Sequence, residues 1–325
     1  MKPFLLKAPC KDYIWGGNRL REFGKTSDAD RIAESWELSC HPDGESVIAS
    51  GDFKGQTLTA FLKAHPEAAG ENCRDFEKFP VLIKLIDAHD DLSVQVHPDD
   101  AYALSHEGEY GKTEMWYVLD AQPGAQLIYG FRSEITKEDF RRAIEENTLL
   151  DQVRRVPVRA GDVFFIPSGT LHAIGKGLLI AEVQQNSNTT YRVYDYGRLG
   201  KDGKPRELHI EKALDVTNLK PLEMQPLSSP DRINGWRVQH LGDCTYFYVS
   251  LWEPEAAAPA VWKFGGDTAS FLHLLVLDGS GVLQMADGGS LRLEKGASLF
   301  IPAGSQPGEI TGHLRFIATD ICQSL

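Results

Sequence analysis

Residues 161 to 172, GDVFFIPSGTLH, align without a gap on residues 296 to 307, GASLFIPAGSQP. Gly, Phe, Ile, Pro and Gly recur at the same places. Upstream, EMWYVLD at 114 to 120 aligns on LHLLVLD at 272 to 278. A repeat of this kind means one supersecondary unit built twice. The unit is an apolar strand, a Gly turn, a second apolar strand and a Pro–Gly turn. Asp120 lies 41 residues before Gly161, whereas Asp278 lies 18 before Gly296. The 23 additional residues match the length of 133 to 155, SEITKEDFRRAIEENTLLDQVRR, which reads as a helical insert. The copies also differ in chemistry. Pro307 stands where the first copy has His172, and Leu272 where it has Glu114. A mainly β chain is therefore expected, with the same polar positions kept in one copy and lost in the other. His273, one step from the Leu272 position, would face the opposite side of its strand and reads as structural.

The first copy gathers the polar residues worth following. Gln95 and His97 are two apart in the apolar run LSVQVHP. In a strand, i and i+2 share a face, so both can point into one cavity. Glu114 opens a second strand-like run and His172 follows a third. Two imidazoles and a carboxylate from three strands form a borderline metal site of the catalytic type, with a position left open. The same donors also suit an iron(II) facial triad, so the residues alone leave zinc and iron both open. Lys112, two before Glu114, would face the same cavity and is a candidate proton-transfer group. Lys84 interrupts the apolar strand VLIKLI and is expected to face the cavity. Glu34 and Trp36 share one face of ESWELS and could meet a ligand there. In TTYRVYDYGR, Arg192, Tyr194 and Tyr196 fall on one alternating face.

The spacing Gly161, Pro167, Gly169, His172 resembles the second motif of the cupins, which aims a histidine back into a β-barrel. The chain as a whole resembles the type I mannose-6-phosphate isomerases in their short bacterial form. The resemblance is carried by WGG (15 to 17), ESWELS (34 to 39), LSVQVHP (92 to 98), KTEMW (112 to 116), PSGTLHAIG (167 to 175) and TTYRVYDYGR (189 to 198). It implies two cupin-type (jelly-roll) β-barrels with a small helical part, the second lacking metal ligands. It implies one Zn2+ held by His97, Glu114 and His172, with Gln95 as a fourth ligand used by longer relatives. It carries the family's catalytic arginine to Arg192. Arg198 falls where longer members place a phosphate-binding lysine, and Ser93 is implied to touch phosphate. The activity implied is the interconversion of mannose 6-phosphate and fructose 6-phosphate through an enediol. The chain has no room for the large helical domain of longer relatives, which points to a more open site or to cover from the 99 to 112 loop. The residues leave two rival readings open, an iron-dependent cupin dioxygenase and a non-catalytic sugar-binding cupin.

Charge narrows the partners. Lys and Arg number 34 against 46 Asp and Glu, a net charge of −12. Such a chain is a poor nucleic-acid binder and must concentrate its cations to hold a phosphate. No apolar run approaches ~18 residues, so no membrane span is expected. Five cysteines without a C-x-x-C pair suggest reduced thiols and a cytoplasmic location. Oligomeric state is left open. The expected division is 1–215 for a catalytic cupin domain, 216–235 for a Pro- and Ser-rich crossover, and 236–325 for a degenerate cupin domain. Locally, Thr57 reads as an N-cap with Pro66 ending that helix or starting another, and a short helix is expected after Asp99. Residues 114 to 130 read as a hairpin turning at AQPGAQ.

Overall fold

The computed structural model describes residues 1–200, 202–224, 226–255 and 260–322. It is mainly β, arranged as cupin-type sheets. The first unit packs two sheets face to face. One runs in the order Val163–Ile166, Glu114–Ala121, Leu178–Gln185, Val81–Ala88, Glu34–Leu38 and Cys10–Lys11. The other runs Tyr191–Tyr194, Val94–Val96, His172–Ile174, Gln126–Phe131 and Val153–Pro157. Ile86, Trp116, Val118 and Ile180 from the first sheet meet Leu127, Tyr129 and Ile174 from the second in an apolar core. Both sheets are open paths from edge to edge, so the expected cupin-type jelly-roll is built as a two-sheet sandwich.

The C-terminal unit is a ten-stranded antiparallel sheet curled around Trp236, Trp262, Leu274, Leu293 and Phe316. Its long strands are Leu272–Met285 and Gly308–Asp320. The repeat is visible in the register. Glu114 pairs with Ile166 in the first unit, and Leu272 pairs with Ile301 in the second. The turn glycines agree as well, with φ of 91° at Gly161 and 83° at Gly296, a region that L side chains avoid. Among the described residues only the first unit assembles a group able to hold a metal. His273 is fully buried and bonds Ser298 Oγ at 2.8 Å, a structural position.

The N-terminal strand Phe4–Lys7 pairs with Ser298–Ile301 and with Val47–Ile48, so the first strand of the chain completes the last sheet. Phe4, Leu6, Leu38, Phe61, Ile83 and Met115 pack with Phe247, Phe271 and Phe300 where the two units meet.

Helices lie at the edges. Leu58–Ala64 is capped by Thr57, whose side chain accepts from Ala60 N, and a 3-10 turn follows at Pro66–Ala69. Asp100–His106 is capped by Asp99. Lys137–Glu145 is capped by Thr136, and its Phe140 and Ala143 face the core. The helical reading of 133 to 155 is corrected at its end. Asn147 takes φ 58°, a short helix Leu149–Gln152 follows, and Val153–Pro157 pairs with Gln126–Phe131. The β-branched Val153 and Val156 fit that sheet better than a helix. The hairpin at 114 to 130 is also corrected. Glu114–Ala121 and Gln126–Phe131 lie in different sheets, and the AQPGAQ turn carries the chain across the sandwich. Ile210–Val216 adds a helix that the sequence reading does not anticipate. Among the described residues no helix is long and apolar enough to cross a membrane.

Candidate metal centre and its charged surroundings

Glu114 opens a strand of one sheet and His172 a strand of the other, and His97 directly follows the strand Val94–Val96 of that second sheet. Their ligand atoms lie within 4.8 Å of one another. Glu114 Oε1 is 3.2 Å from His172 Nε2 and 3.7 Å from His97 Nε2. All three side chains are buried, at 1%, 0% and 0% exposure for His97, Glu114 and His172. Among the described residues both ring nitrogens of His97 and both oxygens of Glu114 lack a hydrogen-bond partner, the Lys112 ammonium standing off at 3.4 Å from Glu114 Oε2. Buried polar atoms left unpaired in this number are costly, and a cation at the centre would satisfy the Glu114 carboxylate and the His97 Nε2 that faces it. His172 Nδ1 bonds the Thr170 carbonyl at 2.8 Å, which fixes the ring and turns the Nε2 lone pair inward. Gln95 pairs across the sheet with both His172 and Arg192, and its amide lies 3.4 Å from His172 Nε2. The expected Gln95, His97, Glu114 and His172 are thus brought to one place, and the donor set fits a divalent ion.

A charged strip runs from this cluster across the six-stranded sheet. Lys112 Nζ is 3.4 Å from Glu114 Oε2. Lys84 pairs in register with both Glu182 and Trp36. Its Nζ is 3.2 Å from Glu182 Oε1 and 3.9 Å from Glu34 Oε2. Trp116 Nε1 donates to Glu182 at 3.0 Å, and Trp36 Nε1 donates to Glu34 at 2.7 Å. Trp36 has no exposed surface, so it orients Glu34 and stacks beneath the Lys84 ammonium at 5.1 Å. Glu182 is absent from the sequence-based set. The available signal was a carboxylate in the apolar run LLIAEVQQ, the counterpart of Lys84 in VLIKLI.

The arginines gather at the edge strand. Arg192 Nε bonds Ser93 Oγ at 3.3 Å and Nη1 bonds the Glu207 carbonyl at 2.9 Å. Among the described residues Arg192 has no carboxylate partner within ion-pair distance. Asp195 instead takes Arg198 and Arg206. Arg198 also donates to the Asp91 carbonyl, so its fork is engaged on both sides. Arg206 is a second residue that sequence reading missed, lying in a loop with no periodicity to mark it. Tyr196 does not share the Arg192 face. The strand ends at Tyr194, and Tyr196 takes φ 57°.

Burial sets the proton affinities. It holds His97 well below 6.5, with Lys112 adding to the effect, and lowers His172 to about 4. It pushes the Glu114 carboxyl up to about 8, opposed by Lys112 and reinforced by Glu182. Burial works against the Lys84 charge too, but Glu182 and Glu34 more than offset it, and the ammonium is held charged.

A pH response follows for metal-free protein. Below about 6.5 the unfolded chain takes up the histidine protons that the folded chain refuses, so stability rises with pH there. Glu114 acts oppositely. The folded chain keeps its extra proton up to about 8, so this group lowers stability as pH rises from about 4.5 to about 8. Within the cluster, two groups outweigh one below about 6.5, and Glu114 is the member that still acts above it. The melting temperature of metal-stripped protein is expected to decline between about pH 6.5 and 8, and Glu114→Gln to lack that decline. An identical profile for both proteins would contradict the buried, protonated carboxyl.

Comparison with known proteins places the chain in a family. Residues 4–120 match the family model of the type I phosphomannose isomerase catalytic domain, and residues 238–321 that of the mannose-6-phosphate isomerase cupin domain. The chain is 38% identical to a mannose-6-phosphate isomerase of Bacillus subtilis over 98% of its own length and 99% of the relative. It is 40% identical to the mannose-6-phosphate isomerase of Streptococcus mutans, covering 98% of each. The crystal structure of the Bacillus subtilis mannose 6-phosphate isomerase superposes with a TM-score of 0.90 at 36% identity, over 98% of this chain and 99% of that one. A phosphomannose isomerase structure from Salmonella typhimurium shares the fold at 17% identity, with a TM-score of 0.80 over 99% of this chain and 100% of that one. With the ligand cluster, the repeat and this full-length likeness in hand, the chain belongs to the type I mannose-6-phosphate isomerase family.

Proposed function

We propose that this protein is a zinc-dependent aldose–ketose isomerase that interconverts mannose 6-phosphate and fructose 6-phosphate through an enediol. The observation that carries this reading is the buried His97, Glu114 and His172 group beside two lysines and an arginine with no carboxylate partner among the described residues. His97, Glu114 and His172 would hold the ion, with the Gln95 amide as the fourth protein ligand. When bound, zinc supplies Lewis-acid polarisation of the sugar oxygens without redox side chemistry.

The chain's own residues do the rest. Lys112, buried beside Glu114, is the proton-transfer group between the two sugar oxygens. Lys84 is held charged by Glu182 and Glu34, so it donates to substrate oxygen rather than taking a proton. Glu34 offers a carboxylate to a sugar hydroxyl, with Trp36 acting behind it. Arg192 stabilises the enediolate charge, and Ser93 bonds both Arg192 and the phosphate end of the sugar. Arg198, braced by Asp195, adds to the cationic field that receives the phosphate in an otherwise acidic chain. All these residues lie within 1–215. Residues 216–235 are read as the crossover, whose Asp231–Ile233 already pairs with the C-terminal sheet, and 236–325 as the second cupin, which holds no metal group among the described residues and borrows Phe4–Lys7. The five free thiols fit a reducing cytoplasm.

The test is a coupled assay for fructose 6-phosphate from mannose 6-phosphate, before and after chelation, with metal analysis of the protein as isolated. Turnover that is lost on chelation and restored by zinc is expected. Metal-dependent oxygen uptake without isomerisation would instead establish the iron dioxygenase reading.

A further inference from the structure

We infer that Tyr246, in the C-terminal sheet, is a positioning residue for Lys112 at the metal centre. The inference rests on the isomerase reading and gives the metal-free cupin copy a part in it. Tyr246 sits at the tip between strands Trp236–Cys244 and Phe247–Pro254. Its hydroxyl donates to Asp100 Oδ2 at 2.9 Å, across 146 residues of sequence. The other oxygen, Oδ1, accepts from Gly111 N at 2.8 Å and from Gln185 Nε2 at 2.9 Å. Gln185 in turn accepts from Thr113 N at 2.7 Å. Lys112 therefore stands between two residues whose amides are both tied to the Asp100 carboxylate, one directly and one through Gln185. Its own amide donates to the Pro98 carbonyl at 3.0 Å.

The site is built for this close approach. A Cβ on Gly111 would lie 2.6 Å from backbone atoms of Asp99 and Asp100, so a larger residue would push the Lys112 loop away. The Tyr246 ring is held by Phe76 at 5.1 Å and Tyr110 at 5.3 Å between centroids. The hydroxyl thus reaches Asp100 from a fixed platform. A carboxylate bonded on both oxygens has one orientation, whereas one bonded on a single side can turn toward water. Misplacement of a catalytic group by about 1 Å is enough to cost about 100-fold in rate, so a small rotation of Asp100 is felt at Lys112.

Tyr246→Phe keeps the ring packing and removes only the hydroxyl. In the metal-loaded enzyme, kcat is expected to fall about tenfold with KM within about twofold, as for other supporting hydrogen bonds around metal sites. Bound metal should stay equal to wild type. Amide exchange over peptides spanning 107 to 114 should quicken, in metal-free protein as well, while the rest of the chain is unchanged. Because the hydroxyl acts through Asp100, Asp100→Asn combined with Tyr246→Phe should be no slower than Asp100→Asn alone. Tyr248→Phe, on the following strand, should behave as wild type. Unchanged kcat and exchange in Tyr246→Phe would overturn the inference. So would a rate loss matched by metal loss, uniformly faster exchange, or additive effects in the double variant. If wild type itself fails to isomerise mannose 6-phosphate, the isomerase reading falls, and the exchange over 107 to 114 still decides whether Tyr246 holds the loop.

Discussion

His172→Ala is expected to give a folded protein that retains no metal and does not isomerise. His172 is fully buried, with Nδ1 anchored on Thr170 and Nε2 3.2 Å from Glu114 Oε1. Removing it leaves His97 and Glu114 as the principal donors, with the Gln95 amide beside them. Loss of a mere supporting bond near a metal costs about 10–100-fold in affinity, so loss of a ligand should cost more than about 100-fold. The fold should tolerate the change. The imidazole lies in a polar cluster whose unpaired atoms already oppose folding in the metal-free state. A useful control is His273→Ala, which removes a histidine equally buried but placed in the second cupin copy. That variant should lose some stability and keep its metal. Metal analysis of both proteins after gel filtration reads the difference directly. Undiminished metal in His172→Ala would sink the assignment of the site.

The contrast between the two histidines shows how far the sequence carries. The repeat placed Leu272 where Glu114 stands, and the structure pairs each with the matching isoleucine of its own copy. Strand alternation near Gln95 and His97 was readable because one face is buried and the period is two. What escaped depends on partners distant in sequence. Glu182 has meaning only beside Lys84, and that pairing is a matter of register between two central strands. Arg206 reaches Asp195 from a loop. Tyr246 meets Asp100 only after the second unit has folded onto the first. The helix expected to reach residue 155 ends early because pairing with Gln126–Phe131 outweighs local preference. The AQPGAQ turn has hairpin composition, yet the strands it joins part to opposite sheets, which no local signal records.

Arg192→Ala is expected to keep fold and metal, bind mannose 6-phosphate within a few-fold of wild type, and turn over about 10²–10³ times more slowly. Arg192 is half-buried on the edge strand, next to Gln95 in register, and its guanidinium bonds Ser93 and the Glu207 carbonyl. Asp195 is the carboxylate that could have neutralised it, and Arg198 and Arg206 occupy Asp195 instead. Burial and the neighbouring Arg206 both disfavour the Arg192 charge, so the cation gains most when an anion arrives. If that anion is the enediolate, the gain comes in the transition state and its loss appears in kcat. Lysine should rescue only in part, because a point charge does not reproduce the planar fork. Arg198→Ala should behave differently. Its fork is spent on Asp195 and the Asp91 carbonyl, and its charge acts alike on bound substrate and transition state. It should therefore raise KM for the phosphorylated sugar and spare kcat. Mannose without phosphate separates the two, since Arg198→Ala should scarcely alter its turnover while Arg192→Ala still cripples it. Near-normal kcat on mannose 6-phosphate in Arg192→Ala would make the residue a brace for Ser93 and the 207 loop, and the enediolate charge would have to be met by Lys84 and the metal alone.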